Sequence, residues 1–332
     1  MKSYVGIDIA AKTFDVVVRQ NQKNGKAVTL KQSAADIESL VEQLLALQPE
    51  SVVMEATGIY YLNLAWTLDS AGVPVSVINP KSFKHFAAAK LTRNKTDAVD
   101  AGLLAEYAER MTPERWNAPS HQMMDLRDVA RQINRLTGMK TQSKNRLHAL
   151  LASKRVSQAV IEDEQEVTAF LEQRIERMRL HALTLISACD RLERQLSNIT
   201  QATGIGVNSA ICMMGELNVL PASLKAPQVC HHAGLSVRLN QSGTSVNSPG
   251  RLSKAGNTYL RAAFFMPALS AGTHDRHAKA FKEALIARGK KKMQAQCALM
   301  RKYLMGVWAC IRHDTPFDSA KLFSQEHQKA CI

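Results

Sequence analysis

Tyr4-Val5-Gly6-Ile7-Asp8-Ile9 is an apolar run broken by one carboxylate. Its length suits a β-strand, and a charge among strand apolars is costly unless something compensates it. Thr13 to Arg19 follows as a second strand, with Phe14, Val16 and Val18 alternating with Asp15, Val17 and Arg19. Asn24-Gly25 signals a hairpin turn, and Ala27 to Lys31 fits a third strand. Ser33 is placed to cap a helix carrying Ile37, Leu40, Val41, Leu44 and Leu45. Ser51 to Met54 is a fourth, continuously apolar strand. Tyr60 to Ala71 reads as a helix stopped by Gly72 and Pro74, Val73 to Ile78 as a fifth strand ended by Asn79-Pro80, and Asp97 to Arg110 as a further helix.

Three strands in a meander, then helix, strand, helix, strand, helix, is the order of the RNase H-like arrangement, although other α/β folds share it. In such a sheet the first and fourth strands are neighbours, so Asp8 should meet Glu55, which directly follows Met54. Asp97 and Asp100 are three apart, which puts both on one face of a helix. Acidic groups gathered in this way repel one another unless a cation neutralises them, and oxygen ligands of this kind suit Mg²⁺. Two ions can hold the attacking and leaving oxygens of a phosphodiester in line, and one ion can still polarise it. Taken singly, each acid has an ordinary explanation: Asp97 as a charge at a helix start, Asp100 as a solvated helix residue, Glu55 as a loop cap. Lys90, Arg93 and Lys95 precede Asp97 and are either phosphate contacts or a solvated basic loop.

The middle of the chain is helical and polar. Leu126, Val129, Ile133 and Leu136 begin one run, Leu147 and Leu150 continue it, and Ser153 to Glu166 is expected to break it. Leu171, Ile175, Met178, Ala182, Leu185, Cys189, Leu192, Leu196 and Ile199 then alternate steps of four and three, a coiled-coil seam. An antiparallel hairpin or a dimerising coil accounts for both runs. The last third opens with Gly204-Ile205-Gly206, either a turn that aims backbone amides at phosphate, as in a helix-hairpin-helix, or a plain helix connection. A polar segment from Ser236 to Lys254 follows, and helices resume at Asn257. That segment holds Gln241-Ser242-Gly243-Thr244-Ser245-Val246, with Arg251, Ser253, Lys254 and Gly256 after it. A hydroxyl there can bind phosphate passively or, if activated, attack it, and composition does not choose. Lys290, Lys291 and Lys292, with Arg301 and Lys302, are further phosphate-contact candidates on a helical background.

Charge distribution separates the thirds. Residues 1–110 carry 12 basic and 12 acidic side chains, residues 111–200 carry 14 and 11, and residues 201–332 carry 17 and 6, so the net +14 sits mostly at the end. A field of that size attracts polyanions. Only 5% of residues are aromatic, which argues against stacking on single-stranded bases as the main binding mode. The six cysteines form no C-x-x-C pair and read as reduced thiols; Cys230-His231-His232 has no accompanying ligand cluster of zinc spacing and reads as a packed turn or helix segment. Met1-Lys2-Ser3-Tyr4 runs straight into the first strand without a signal-peptide core, and no apolar run is long enough for a bilayer. A cytoplasmic location with no membrane partner is expected.

At this point a resemblance becomes specific. Gly6-Ile7-Asp8, Glu55-Ala56-Thr57-Gly58, Ile78-Asn79-Pro80, Asn94-Lys95-Thr96-Asp97-Ala98-Val99-Asp100-Ala101, Ala233-Gly234-Leu235, Ser242-Gly243-Thr244-Ser245 and Ser253-Lys254-Ala255-Gly256 resemble the DEDD transposases of bacterial insertion-sequence family one-hundred-and-ten. These are bridge-RNA-guided recombinases related to the Piv-type DNA invertases. The resemblance implies an α/β plus α architecture: an RNase H-like (RuvC-like) catalytic domain over residues 1–112, a coiled-coil region over 113–200, and a basic, mainly helical transposase domain over 201–332. It implies Asp8, Glu55, Asp97 and Asp100 as ligands of one or two Mg²⁺, with Mn²⁺ as a substitute. It implies Ser242 as a nucleophile forming a covalent phosphoserine, with Ser245 as the fallback. Donor and target double-stranded DNA, a noncoding guide RNA and a tetrameric dimer of dimers are the implied partners. Ser248-Pro249-Gly250 is the local departure from the pattern. The competing readings are a RuvC-like nuclease using activated water, a non-catalytic nucleic-acid scaffold, and an actin-like phosphotransferase. The last lacks a second glycine-rich phosphate loop and has no use for the basic C-terminal third.

Overall fold

The structure, a computed structural model, describes all residues except Met1, Thr57, 92–95, Lys154, 243–245 and 324–332, with the backbone alone for 239–242 and 246–249. It divides into two compact units, Met1–Ala118 and Pro119–Ile332.

The first unit is built on one mixed sheet. β1 (Ser3–Ile9), β2 (Thr13–Gln20), β3 (Lys23–Asn24) and β4 (Val28–Lys31) precede α1 (Ala34–Leu47), β5 (Ser51–Glu55), α2 (Tyr61–Ser70), β6 (Val75–Ile78), α3 (Pro80–Ala89) and α4 (Asp97–Met111). The strand order is β3-β2-β1-β5-β6, with β4 also paired to β2. β1 runs antiparallel to β2 and parallel to β5, and β5 parallel to β6. This is the expected RNase H-like arrangement, with the first and fourth long strands adjacent.

Strand parity divides the core into two layers. Val5 and Ile7 of β1 join Val52 and Met54 of β5 against Ile37, Leu40 and Leu44 of α1 and Leu64 and Leu68 of α2. On the opposite face Val53 and Ile78 meet Phe83 of α3 and Leu103, Leu104 and Tyr107 of α4. Ser33 caps α1 as expected, accepting from the Asp36 amide. The first hairpin turn lies earlier than expected: Arg19 pairs Asn24 and Gln20 pairs Lys23, so Asn21 and Gln22 form the turn, both at positive φ. Two consecutive positive φ values are the signature of the tight turn that matches strand twist, and Asn24-Gly25 lies beyond it. Helix α3 was not anticipated; Asn79 caps it and Pro80 stands at its start, so the residues read as a strand terminator begin a helix instead. The unit runs to Ala118, and the Trp116 amide donates to Val75 O at 2.8 Å while its ring packs on the core.

The second unit contains α5 (His121–Ala152), α6 (Gln158–Ser187), α7 (Asp190–Thr200), α8 (Val207–Leu217), α9 (Ala226–His232), β7 (Val237–Ser242), β8 (Val246–Leu252), α10 (Thr258–Ala263), α11 (Phe265–His274), α12 (Arg276–Ala287) and α13 (Lys292–His313). α5 and α6 form the antiparallel hairpin. Arg146 on α5 pairs with Glu164 on α6, and nearer the far end Gln122 donates to Leu185 O. The expected break over 153–166 is shorter, because Gln158 already starts α6 and the acidic cluster Glu162-Asp163-Glu164 is helical. The seam is not continuous either. The chain leaves helical conformation at Cys189, and Ile186 rather than Leu185 is buried, while Leu171, Ile175, Ala182, Leu192 and Ile199 are buried as the spacing implies. These residues share one core with α8, α11 and α13, through Met213, Ala268, Tyr303 and others. No helix among the described residues is long and apolar enough to cross a membrane.

Candidate active site

Gly6 determines how helix α4 meets the sheet. A Cβ on Gly6 would fall inside van der Waals contact with Ala101 O and Ala105 N, and 2.8 Å from Leu104 C. Helix α4 therefore lies directly on the β1 backbone. Side chains two apart on a strand share a face, so Asp8 follows Gly6 on the α4 side, and Glu55 follows Val53 on that side of β5. The pairing of Ile7 with Met54 sets Asp8 beside Glu55 at the ends of adjacent parallel strands. Thr96 caps α4 by accepting from the Val99 amide, so Asp97 and Asp100 occupy its first turn, where the helix dipole favours negative charge.

Asp8 feels the other three acids. The Asp8 carboxyl is raised from 3.8 to about 6, first by burial and then by the negative charges of Asp100, Asp97 and, more weakly, Glu55, against the hydrogen bond it accepts from the Ile9 amide. An all-carboxylate set whose central member is held back from ionising by burial and then by its neighbours' charge fits a hard divalent cation in chemistry. As the side chains stand, no three His, Cys, Asp or Glu groups among the described residues are grouped closely enough to hold an ion. The backbone thus converges while the carboxylates do not, and ligation requires them to turn inward.

The surroundings are charge-paired. Asp15, paired directly across from Asp8, is buried and accepts from Thr29 Oγ1 at 2.5 Å. Arg19, further along the same face, donates to Glu109 of α4 at 2.7 Å and to Asn24 at 2.7 Å. Lys90 Nζ lies 2.9 Å from Glu106 of α4, which also takes Arg110 at 2.6 Å. Burial opposes ionisation of Glu106, but the Lys90 hydrogen bond and the charges of Lys90 and Arg110 outweigh it and hold its carboxyl below the usual range. The charge of Lys90 is therefore engaged within the unit. Arg93 and Lys95 lie outside the described residues. Sequence reading missed Asp15, Gly6 and the Lys90–Glu106 pair; the signal for Asp15 was a carboxylate in an alternating strand.

In the second unit the polar segment is a β-hairpin. Ser242 is the last residue of β7, pairs with Val246 of β8, and is followed by 243–245, outside the described residues along with the fallback Ser245. The pairing shifts between Arg238–Arg251 and Asn240–Ser248, so Pro249 and Gly250 oppose one residue. The departure noted in the sequence is a β-bulge, a place where proline's missing N–H is tolerated. The hairpin base is fixed: Arg261 donates to Ala233 O at 3.0 Å and Lys254 O at 3.1 Å, and the Asn257 amide donates to His232 O at 2.7 Å. Beneath it Glu216, 1% exposed, accepts from Arg131 at 2.6 and 2.9 Å and from Asn257 at 2.5 Å. Gly204 sits at φ +87° with Pro267 O 2.7 Å from where its Cβ would be, a packing reason for glycine; Gly206 precedes α8 in open space. Arg288 to Lys291 form the turn between α12 and α13, with Gly289 at φ +80°, and Lys292 begins α13, so only the last of the three lysines is helical. Cys230 is buried in α9 with its thiol 3.7 Å from Arg301 O.

Two profiles of one transposase family match the chain: the DEDD transposase of the IS110 type over residues 5–155, and the transposase of the IS116/IS110/IS902 family over 196–283. The pilin gene-inverting protein of Moraxella bovis is 29% identical over 96% of this chain and 98% of its own length. An insertion element IS110 protein of Streptomyces coelicolor is 26% identical over 36% of this chain and 30% of its own. The similarity to RuvC of T. thermophilus in complex with a Holliday junction substrate covers 35% of this chain and 99% of that one at 19% identity, with a TM-score of 0.26. The fold, the order of the acidic motifs and the two profile matches agree: the chain belongs to the IS110 family of DEDD transposases, enzymes of DNA recombination.

Proposed function

We propose that this transposase cuts and rejoins DNA through a covalent phosphoserine on Ser242. In this reading Asp8, Glu55, Asp97 and Asp100 hold Mg²⁺ and a noncoding RNA of its own element guides target choice. The observation that supports the reading is that adjacent strand ends and the first turn of α4 carry the four acids on one side of the sheet, where burial and the charges of the other three raise the Asp8 carboxyl. Divalent-metal dependence goes with the DEDD family; the choice of Mg²⁺ rests on the all-oxygen donor set. Such an ion, when bound, supplies positive charge to the phosphate under attack. Ser242 supplies the attacking oxygen. Its hydroxyl proton passes, through solvent, to the deoxyribose oxygen that leaves as a hydroxyl, so one phosphate ester bond to deoxyribose is exchanged for one to serine. Attack by the deoxyribose oxygen of the exchanged strand reverses the step and restores the serine, with no nucleotide consumed.

The roles divide by region: residues 1–112 for metal-dependent catalysis, 113–200 for assembly, and 201–332 for the serine and the nucleic-acid grip. Assembly into a dimer of dimers is supported by exposed Val160, Val167 and Phe170 on α6, spaced by steps of seven and three. Guide-RNA and DNA binding are supported by the 17 basic against 6 acidic residues of 201–332. The proposed setting is the bacterial cytoplasm, at the nucleoid. The test uses a DNA carrying the recombination sites with the element's flanking RNA. Wild type should form a covalent protein–DNA adduct with Mg²⁺, and Ser242→Ala should form none and exchange no strands. Full cleavage by Ser242→Ala would assign the chemistry to activated water instead. Omission of the RNA should abolish site choice; unchanged target choice without it would remove the guide.

A further inference from the structure

A cavity of about 1130 Å³ in the second unit lies between the base of the β7–β8 hairpin and the α12–α13 corner. That exceeds a small-molecule site, for which about 300–1,000 Å³ is usual. Four cations line it: Arg251 and Lys254 from the hairpin, Lys290 and Arg301 from the corner and α13. None of the four has a carboxylate partner among the described residues. Its floor is apolar, formed by Leu235, Leu252 and Leu285, and its rim carries Val237 and Met293, 57% and 59% exposed. Uncompensated positive charge around an apolar floor matches a chain with anionic phosphates on one side and flat apolar bases on the other. Duplex DNA presents phosphates but hides its base faces, so a strand with unstacked bases complements both surfaces, its bases packing on leucine and methionine side chains and not on aromatic rings.

We propose that this groove holds an unpaired segment of the DNA strand flanking the scissile phosphate. The choice of DNA rests on the reading of Ser242 as nucleophile. Val237, on the groove, and Ser242 are the first and last residues of one strand. Five residues of strand span about 17 Å at about 3.3 Å per residue. The held segment therefore lies within about 17 Å of the attacked phosphate, a few nucleotides of extended strand. Arg261 makes the site rigid, because it clamps Ala233 O and Lys254 O and so fixes the turn that presents Lys254, itself at φ +52°.

Cys297 lines the groove and reports on it directly, while Cys189, on none of its walls, serves as the internal reference. The full-length protein is alkylated with N-ethylmaleimide and each cysteine is followed by peptide mass spectrometry. A single-stranded DNA of the flanking sequence at ten times its dissociation constant should slow Cys297 about tenfold and leave Cys189 unchanged. The matching duplex should slow it far less. Lys290→Gln with Arg301→Gln should abolish the protection and lower the salt slope of single-strand binding by about 0.7 for each contact removed. An unprotected Cys297 at saturating single-stranded DNA overturns the proposal. So does equal protection by duplex, stronger protection by RNA of the same sequence, or protection that rises with protein concentration without DNA, which would assign the groove to a second copy. Ser242→Ala, tested in parallel, separates the two ideas. Retained protection with a lost adduct supports both, and retained protection with a surviving adduct removes the serine reading and with it the choice of strand.

Discussion

Gly6 of β1 lies directly beneath Ala101 of α4, with no room for a side chain between them. Asp8 is two residues beyond the first, and Asp100 is one residue before the second. The contact therefore sets the spacing of the acids that the chemistry requires.

Gly6→Ala should separate the acids without removing any of them. The added methyl has rigid helix backbone to push against, so α4 must shift, at a stability cost of about 1–3 kcal/mol. Displacement by about 1 Å is enough to cost about a hundredfold in rate. Circular dichroism melting and single-turnover DNA cleavage measure the two effects. Gly138→Ala is the control: its Cβ meets nothing within 4 Å in mid-helix α5, and it should stabilise by up to about 1 kcal/mol with cleavage unchanged. Wild-type cleavage in Gly6→Ala would break the link between helix placement and activity.

Asp8 makes the metal-free protein less stable as pH rises. Its folded value of about 6 lies above the 3.8 of a free carboxyl, so the folded state binds more protons between these values. Stability falls across that window, and the cost is fully present above pH 6. Asp8→Asn lacks it, and should melt higher than wild type at pH 7.5 without metal and lose that advantage near pH 4. Added Mg²⁺ should raise the wild-type melting temperature and leave the variant unmoved. A variant that melts no higher at pH 7.5 would contradict the burial and like charge that raise the Asp8 carboxyl.

Arg131 neutralises a carboxylate that is almost wholly out of water. Arg131→Met leaves Glu216 buried without its cation, at a cost of about 3–5 kcal/mol. Adding Glu216→Leu should recover most of that loss. Urea unfolding of both variants tests it, and a mild effect of the single change would show that Asn257 alone satisfies the carboxylate.

Lys90 and Lys292 should respond differently to neutralisation. DNA binding should weaken steeply with salt, since phosphate contacts release counterions, and a flat response would contradict the charge distribution. Lys292→Gln should lower the salt slope by up to about 0.9 for duplex DNA. Lys90→Gln should leave the slope unchanged and lower the melting temperature instead, because Lys90 is held by Glu106. Binding isotherms at several salt concentrations separate the two.

Much of this protein is written in local pattern. Short apolar runs, one of them alternating, marked the strands of the first unit, and helical spacing of apolar residues marked α1 and α4, because burial imposes such patterns wherever the element lies. Asp8 and Glu55 were legible as charges at strand ends, and Asp97 and Asp100 as neighbours on one helix turn. Tertiary structure alone decided the rest, since it depends on residues remote in sequence. Gly6 became a docking point only once α4 lay on it, and Lys90 became an ion-pair partner only once α3 brought it to Glu106. The seam from Leu171 to Ile199 could face another chain or its own. Packing of α5, α8 and α13 against it within this chain settled the matter, because burial rewards whichever apolar surface the fold delivers first.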